Sequence, residues 1–205
     1  MIDIVADNAF SSWEWLRYTA GLNPFVTIFA VVAALIGIVS ARQIARSKVT
    51  LDFIEKKEST SYYRRIHNTF SLYRKAGRLA FLYDPKTDED RAARTDVFDY
   101  LNHYEIVSIG ILERVLSGRI YKKWMRGPFV RDWNAAAELI QRERWKWHST
   151  KETWVYYDSV FQHYQIIARR WSKDTHHLDR HTSGPPTTPS GPGDELFPPA
   201  PDNHG

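Results

Sequence analysis

The stretch TAGLNPFVTIFAVVAALIGIVSA, residues 19–41, contains no charged side chain over 23 consecutive positions. A helix of this length extends about 34 Å, and the hydrocarbon layer of a bilayer is about 30 Å thick. The stretch is therefore predicted to be a single transmembrane helix. It follows a short segment, residues 1–18, and precedes a much longer polar part of the chain.

The charges beside the span predict its orientation. Arg42, Arg46 and Lys48 follow it directly, whereas acidic residues dominate the N-terminal side. Basic residues next to a span tend to remain in the cytoplasm. We therefore expect a protein of the inner (cytoplasmic) membrane, with residues 1–18 extracytoplasmic and the main domain cytoplasmic. Membrane lipids are the first expected partner, and these three cations are the expected contacts with lipid headgroups.

Two short patterns within the span have further interpretations. Residues 39–41, Val-Ser-Ala, resemble the cleavage site of a signal peptide, but a signal peptide begins with a basic segment and this N-terminus is acidic. Ala33 and Gly37 lie four residues apart, which is the spacing of a small-residue helix-packing face. Such a face would allow a second membrane helix to pack closely.

Composition limits what the rest of the chain can be. After the span and the C-terminal tail are set aside, about 130 residues remain, which is enough for one domain with a single core. The chain has no cysteine, which excludes disulfides and thiolate metal sites. The net charge of +4 is modest, and an anionic lipid surface explains it as well as nucleic acid does.

Apolar periodicity predicts an all-α protein, with the transmembrane helix followed by a helical stalk and an antiparallel helical bundle. Residues 42–58 contain neither Gly nor Pro and carry charges of both signs, so we expect the span to continue as a solvated stalk. The bundle is predicted over residues 59–172. Its helices are expected over residues 59–83, from Thr87 to Ser117-Gly118, over 120–125, over 129–148, and from Ser149 or Thr150 to Trp171, the last with an aromatic stripe.

The most informative polar residue is Glu105, because its neighbours at helical spacing are Phe98, Leu101, Ile109 and Leu112. A carboxylate on such an apolar surface must be paired or have a raised pKa. Two interpretations remain open: a catalytic or sensing carboxylate, or a structural ion pair with an arginine such as Arg131 or Arg144. Glu105 and Asn102 form the predicted buried polar centre, with His103 nearby.

The C-terminal end, HTSGPPTTPSGPGDELFPPAPDNHG, is rich in Pro, Gly, Ser and Thr. Such a composition cannot bury a core, so residues 173–205 are predicted to be a disordered tail. His177 and His181 would share a helix face if a helix extended so far, but no carboxylate completes a site, and we predict neither a metal nor a cofactor. The prolines suggest a partner-docking peptide, although no complete PxxP motif with a basic residue is present.

The central part of the chain resembles a known family. YLNHYEIVSIGILERVLSGRIYKKWMRGPFVRDWNAAAELIQRER, residues 100–144, is similar to the core of the bacterial and phage-associated family called domain of unknown function 4760. TLDFIEKKE, residues 50–58, resembles the signature that follows the membrane span in that family. The resemblance covers roughly residues 48–147. It implies a small membrane-anchored helical protein and no particular activity.

Three classes of function remain open. The expected one is a membrane-tethered interaction or regulatory module with a protein partner or self-association, and the resemblance implies a setting in the bacterial envelope or in anti-phage biology. An enzyme would have to use Asn102, His103 and Glu105, which do not share one helix face, and no catalytic motif is present, so we predict no catalytic residue. Single-stranded nucleic acid could stack on RERWKWH, residues 142–148, but we do not expect this partner, because Trp147 fits an apolar stripe.

Overall fold

The computed structural model describes residues 12–181 and 184–185, with side chains from Pro24 onward except that of Glu58. Contacts divide the chain into two units, Met1–Ala45 and Arg46–Gly205. Helix α1 spans Ser12–Ser59 and contributes to both units.

In the first unit, α1 is an apolar helix with exposed side chains. Every side chain from Pro24 to Ala45 is exposed, and Phe25 and Phe29 are 73% and 75% exposed. Among the described residues, Pro24–Lys57 is the one helix long and apolar enough to cross a membrane.

The predicted helix-packing face lies in this exposed part of α1. Ala33 and Gly37 are both exposed, and a Cβ built on Gly37 would meet no atom within 4 Å. Arg42, the first predicted lipid contact, is exposed as well. Of the predicted extracytoplasmic segment, residues 12–18 belong to α1, and residues 1–11 lie outside the described part of the chain.

The second unit is mostly helical and contains a small two-stranded sheet. After α1 come helices α2 (Ser61–Lys75), α3 (Asp88–Leu112), α4 (Gly118–Glu143) and α5 (Gln162–Trp171), strands β1 (Trp145–His148) and β2 (Thr153–Tyr156), and 3-10 helices at Leu79–Tyr83 and Ser149–Lys151. Helix α3 contacts α2 and α5, and α4 contacts α5 and the first 3-10 helix. The prediction of a mostly helical domain is confirmed, and the sheet corrects the prediction of an all-α fold.

Helices α2 and α3 are antiparallel. Three side-chain hydrogen bonds join them: Tyr62 to Asp99 at 2.6 Å, Arg65 to Asp96 at 2.6 Å and Tyr73 to Asp90 at 3.0 Å. Later residues of α2 thus bind earlier residues of α3. The fully buried face of α3 supplies the centre of the core with Val97, Tyr100, Leu101, Tyr104 and Val107.

Helix α3 begins where the sequence predicts and ends earlier. Thr87 is the N-cap, and its Oγ1 accepts a hydrogen bond from the amide of Asp90 at 3.1 Å. The helix ends at Leu112, because the chain turns through Arg114 at a φ of 59°. Ser117-Gly118, predicted to end α3, instead begins α4.

Helix α2 ends at Lys75 rather than at residue 83. Gly77 has a φ of +65°, in the left-handed region that glycine adopts without strain, and the amide of Arg78 returns to the carbonyl of Tyr73 at 2.9 Å. The chain then continues as the 3-10 helix at Leu79–Tyr83.

Helix α4 continues through Gly127-Pro128, where the sequence predicts a break. A proline inside a helix removes one backbone hydrogen bond and crowds the preceding turn. Burial on both sides of the proline, at Tyr121, Phe129 and Trp133, outweighs that cost. The helices predicted over residues 120–125 and 129–148 are therefore one helix, which ends at Glu143.

Residues 145–156 form a hairpin instead of the start of the predicted last helix. Trp145 lies opposite Tyr156, and Trp147 lies opposite Trp154, with ring centroids 5.1 and 5.6 Å apart. Aromatic pairs across neighbouring strands stabilise a sheet. These aromatic residues recur at every second position, which is the period of a strand. This pattern prevails over the helical spacing from which the last helix was predicted to begin at Ser149 or Thr150. Helix α5 begins only at Gln162.

One face of the end of α1 packs against the core of the second unit, whereas Lys48, Asp52, Glu55 and Lys56 are exposed, as the predicted solvated stalk requires. Thr50 is fully buried, and its Oγ1 accepts a hydrogen bond from the amide of Ser117 at 2.8 Å. Lys57 is buried as well. The helix itself continues as predicted, and its apolar side chains pack against the core: Phe53 and Ile54.

The described part of the predicted tail is attached to the domain. The backbone of residues 174–179 accepts hydrogen bonds from side chains of α4 and α5, and Leu178 is buried. The predicted boundary at residue 173 is therefore too early. Residues 182–183 and 186–205 lie outside the described part of the chain.

Candidate functional site

A lysine enclosed by aromatic rings lies at the end of α1. Lys57 is 6% exposed, and its Nζ lies 4.3 Å from the ring centroid of Tyr63 and 5.0 Å from that of Tyr104. Trp124 and Tyr121 complete this aromatic cage at 5.5 and 5.9 Å. Nζ also donates a hydrogen bond to the Tyr121 hydroxyl at 3.3 Å. Rings from α2, α3 and α4 thus surround one ammonium group of α1.

The aromatic cage compensates the burial of the Lys57 ammonium group. An isolated buried charge is costly. The faces of aromatic rings attract cations, and each such contact contributes on the order of 0.5–2 kcal/mol. Because the rings belong to three different helices, the ammonium group stabilises the packing of all three against α1.

His103 lies beside the aromatic cage. Its ring stacks on Phe53 with centroids 5.5 Å apart and lies 5.1 Å from the ring of Tyr63. Within the described part of the chain, Nε2 of His103 is buried without a hydrogen-bond partner. Burial, together with the positive charge of Lys57, lowers the pKa of His103 to about 3. The ring is therefore neutral near pH 7.

A chain of hydrogen bonds connects the aromatic cage to Asp132 on α4. The hydroxyls of Tyr104 and Tyr100 are 3.0 Å apart, and Tyr100 donates to Asp132 Oδ2 at 2.8 Å. Arg131 Nε donates to Asp132 Oδ1 at 2.9 Å, and Arg74 Nε lies 3.4 Å from the same oxygen. Asp132 is 1% exposed, so the hydrogen bonds from Tyr100 and Arg131, together with the nearby charge of Arg74, compensate a buried carboxylate.

The buried tyrosines around this chain are hydrogen-bond donors. Burial raises the pKa of Tyr100, Tyr104, Tyr121 and Tyr164 well above the ordinary tyrosine value, and the carboxylate of Asp132 raises that of Tyr100 further. Their hydroxyls stay protonated at physiological pH. The arrangement therefore suits structural hydrogen bonding.

Glu105 caps helix α5 from α3. One carboxylate oxygen accepts a hydrogen bond from the amide of His163 at 3.1 Å, and the other accepts one from the amide of Tyr164 at 2.7 Å. His163 Nδ1 lies 2.6 Å from the first oxygen. The N-cap of α5 is Phe161, which has no side-chain oxygen and a φ of 54°. Glu105 thus supplies the acceptor and the negative charge that the N-terminus of α5 needs.

The structure corrects two predictions about the polar centre. Glu105 does not pair with Arg131 or Arg144, because Arg131 binds Asp132 and the buried Arg144 donates to backbone carbonyls. Asn102, the other predicted member, is exposed. An offset of three residues turns its side chain by about 60° from that of Glu105, which is enough to leave the buried face.

The cations of residues 142–148 have partners within the domain. Arg142 binds Glu138 at 2.6 Å, and Lys146 binds Glu143 at 3.0 Å. Arg144, between them in sequence, is 1% exposed. Residues 142–148 thus contain one exposed ion pair, one partly buried ion pair and a buried arginine, and Trp145 and Trp147 belong to the hairpin.

No group of three His, Asp or Glu side chains in the described part of the chain converges as a metal ion would require. His177 and His181 are not helical. His177 Nδ1 lies 3.0 Å from Gln165 Nε2, and its Nε2 lies 3.5 Å from Asp179 Oδ2. His177 and His181 therefore do not share a helix face, which a metal-binding pair at this spacing would require.

Sequence reasoning missed Lys57 and Asp132. Asp132 has a recognisable signal, because it lies within a buried stripe of α4 formed by Phe129, Trp133, Ala136 and Leu139. A carboxylate inside such a stripe requires partners. Lys57 has no local signal, since it stands in the charged run Glu55 to Glu58 and all of its ring partners except Tyr63 lie far along the chain.

The chain belongs to the family described as Domain of unknown function (DUF4760), which matches residues 24–171. This match confirms the resemblance seen over residues 48–147 and extends it in both directions. It covers the apolar part of α1, the aromatic cage, Asp132, Glu105 and all of α5. No curated protein and no solved structure matches the chain.

Replacing Glu105 by Gln is expected to destabilise the domain by about 1–2 kcal/mol, because the α5 terminus loses its negative charge and one amide loses its acceptor. Glu113→Gln is the matched control, since Glu113 is exposed at the end of α3; its effect should stay below about 0.5 kcal/mol. Urea unfolding of the detergent-solubilised protein, followed by tryptophan fluorescence, measures both. Equal effects of the two substitutions would contradict the capping role.

Acidification should destabilise the domain through His103. Its pKa is about 3 in the folded state against an ordinary value of 6.5, so the unfolded state binds the proton first. The stability contributed by neutral His103 is complete above about pH 6.5 and is lost as the pH falls toward 3. His103→Phe should flatten the dependence of the urea midpoint on pH across this window, whereas the exposed control His181→Gln should retain it. An unchanged slope in His103→Phe would show that His103 is not the group responsible.

Proposed function

We propose that this protein is a single-pass, membrane-anchored helical interaction or regulatory protein. The observation that carries the proposal is α1, whose side chains from Pro24 to Ala45 are all exposed and mostly apolar. A helix that is apolar on all sides is typical of a membrane span. Fully burying one Val, Leu, Ile or Phe side chain contributes roughly 1.5–3 kcal/mol, so a bilayer stabilises this helix strongly.

The proposed orientation places the N-terminus outside the inner membrane and the domain in the cytoplasm. It rests on Arg42, Arg46 and Lys48, of which Arg42 and Lys48 are exposed and Arg46 is half-buried. Basic residues next to a span favour the cytoplasmic side. Near an anionic leaflet each contributes about 1 kcal/mol to membrane attraction.

An interaction role fits the second unit better than catalysis does. The buried tyrosines stay protonated, Glu105 binds backbone amides, and Lys57 is enclosed by rings. These groups stabilise the fold, and a stable helical scaffold suits the binding of another protein. The exposed Ala33/Gly37 face supports self-association as a second mode. A role in the bacterial envelope or in anti-phage biology follows from the family resemblance alone.

Single cysteines introduced into this cysteine-free chain test the anchor and its orientation together. In unlysed spheroplasts, a membrane-impermeant maleimide should label Asp7→Cys. It should label Glu89→Cys, at an exposed position of α3, only after lysis. Both variants should sediment with membranes and remain there in alkaline carbonate.

The matched control is Glu89→Cys in detergent, which should react fully and show that the site is accessible. Labelling of Glu89→Cys in unlysed cells, with Asp7→Cys protected, would reverse the proposed orientation. Recovery of either variant in the soluble fraction would contradict membrane anchoring.

A further inference from the structure

The segment Asp174–Asp179 lies along α4 and α5 in a manner that resembles a bound peptide. Its residues 176–179 are in neither helix nor strand. Asn134, earlier in α4, binds residues 174 and 176, and Gln141, later in α4, binds residue 179. The segment therefore runs parallel to α4.

Side chains of the two helices bind the backbone of this segment. Asn134 binds it twice, donating from Nδ2 to the carbonyl of Asp174 and accepting at Oδ1 from the amide of His176, both at 2.9 Å. Trp133 Nε1 donates to the carbonyl of His176 at 2.9 Å, and Gln141 Nε2 donates to that of Asp179 at 2.8 Å. Such contacts do not depend on the side chains of the segment.

One carbonyl of the segment is held from both helices. Arg144, the C-cap of α4, and Gln165 on α5 donate to the carbonyl of Leu178 at 3.2 and 3.0 Å. Both donors are buried, at 1% and 7% exposure. The polar lining of the groove between α4 and α5 thus matches a peptide backbone at fixed positions.

A single apolar side chain anchors the segment. Leu178 is buried, whereas Asp174, His176 and His177 are exposed. One buried leucine combined with backbone contacts at fixed positions is how grooves recognise short peptides, with the backbone supplying affinity and the anchor supplying selectivity.

From this arrangement we infer that the groove between α4 and α5 is a peptide-binding site that the chain occupies with its own segment. The ligand class is a short peptide of a partner protein, with one leucine anchor and polar neighbours. Only residues 172–173 separate α5 from the segment, so the internal occupant has a high effective concentration and competes with the external peptide. The inference names a binding site for the proposed interaction role and rests on that role.

The test uses the full chain in detergent and a fluorescent synthetic peptide with the sequence of residues 172–181, SKDTHHLDRH. Leu178→Asp in the protein removes the internal anchor and leaves the groove intact, so peptide affinity should rise at least tenfold over the wild-type chain. Leu72→Asp, at an exposed position of α2, is the matched control and should bind as the wild type does. Adding Asn134→Ala to Leu178→Asp should remove the gain, as should replacing the leucine of the peptide by Asp.

A second measurement does not depend on the folding of Leu178→Asp. A bimane label on His176→Cys lies beside Trp133, because the backbone of residue 176 binds the Trp133 indole. Excess unlabelled peptide should displace the segment and relieve quenching by Trp133, and the peptide with Asp in place of leucine should not.

Equal peptide affinities of a folded Leu178→Asp variant and the wild type would overturn the inference, as would quenching that persists in excess peptide. The segment would then be a permanent part of the domain. Because binding is measured in detergent, either failure leaves the maleimide labelling result unaffected, so loss of the peptide site is distinguishable from loss of the membrane anchor.

Discussion

The insertion of Lys57 among four aromatic rings is the interaction on which the arrangement of the second unit depends. Nζ contacts rings from α2, α3 and α4, and these contacts compensate the burial of its charge. Thr50 adds a second attachment through the amide of Ser117 at the start of α4. The end of α1 is thus built into the domain, where a simple spacer would have remained solvated.

The other buried polar groups join the remaining elements. The carboxylate of Asp132 accepts hydrogen bonds from Tyr100 and Arg131 and forms an ion pair with Arg74, so it links α4 to α2 and α3. Glu105, on α3, caps α5. Each carboxylate accepts at least one hydrogen bond from another helix, and removing that contact leaves a buried charge or a bare helix terminus. Fixed in this way, α4 and α5 present the donors that bind residues 174–179 at constant spacing.

The features that could be predicted from the sequence are local. The apolar run of α1, the cap at Thr87 and the helical content each follow from a few neighbouring residues. The hairpin was missed because Trp154 satisfies both a helical stripe and a strand alternation, and only the pairing with Trp147 decides between them. The partner of Glu105 could not be found because it is the backbone of another helix. The segment at 174–179 is held mainly through its own backbone, so its composition does not reveal it.

Hydrogen–deuterium exchange of the full chain in lipid nanodiscs tests the central claim, that the end of the helix proposed to anchor the protein packs against the core of the domain. Peptides from residues 46–59 should exchange as slowly as those from α3 and α4, because they are protected by the domain. Peptides from residues 24–45 should be protected by the bilayer. Fast exchange of residues 46–59, with α3 and α4 still protected, would contradict the account, since the end of α1 would then be a solvated stalk.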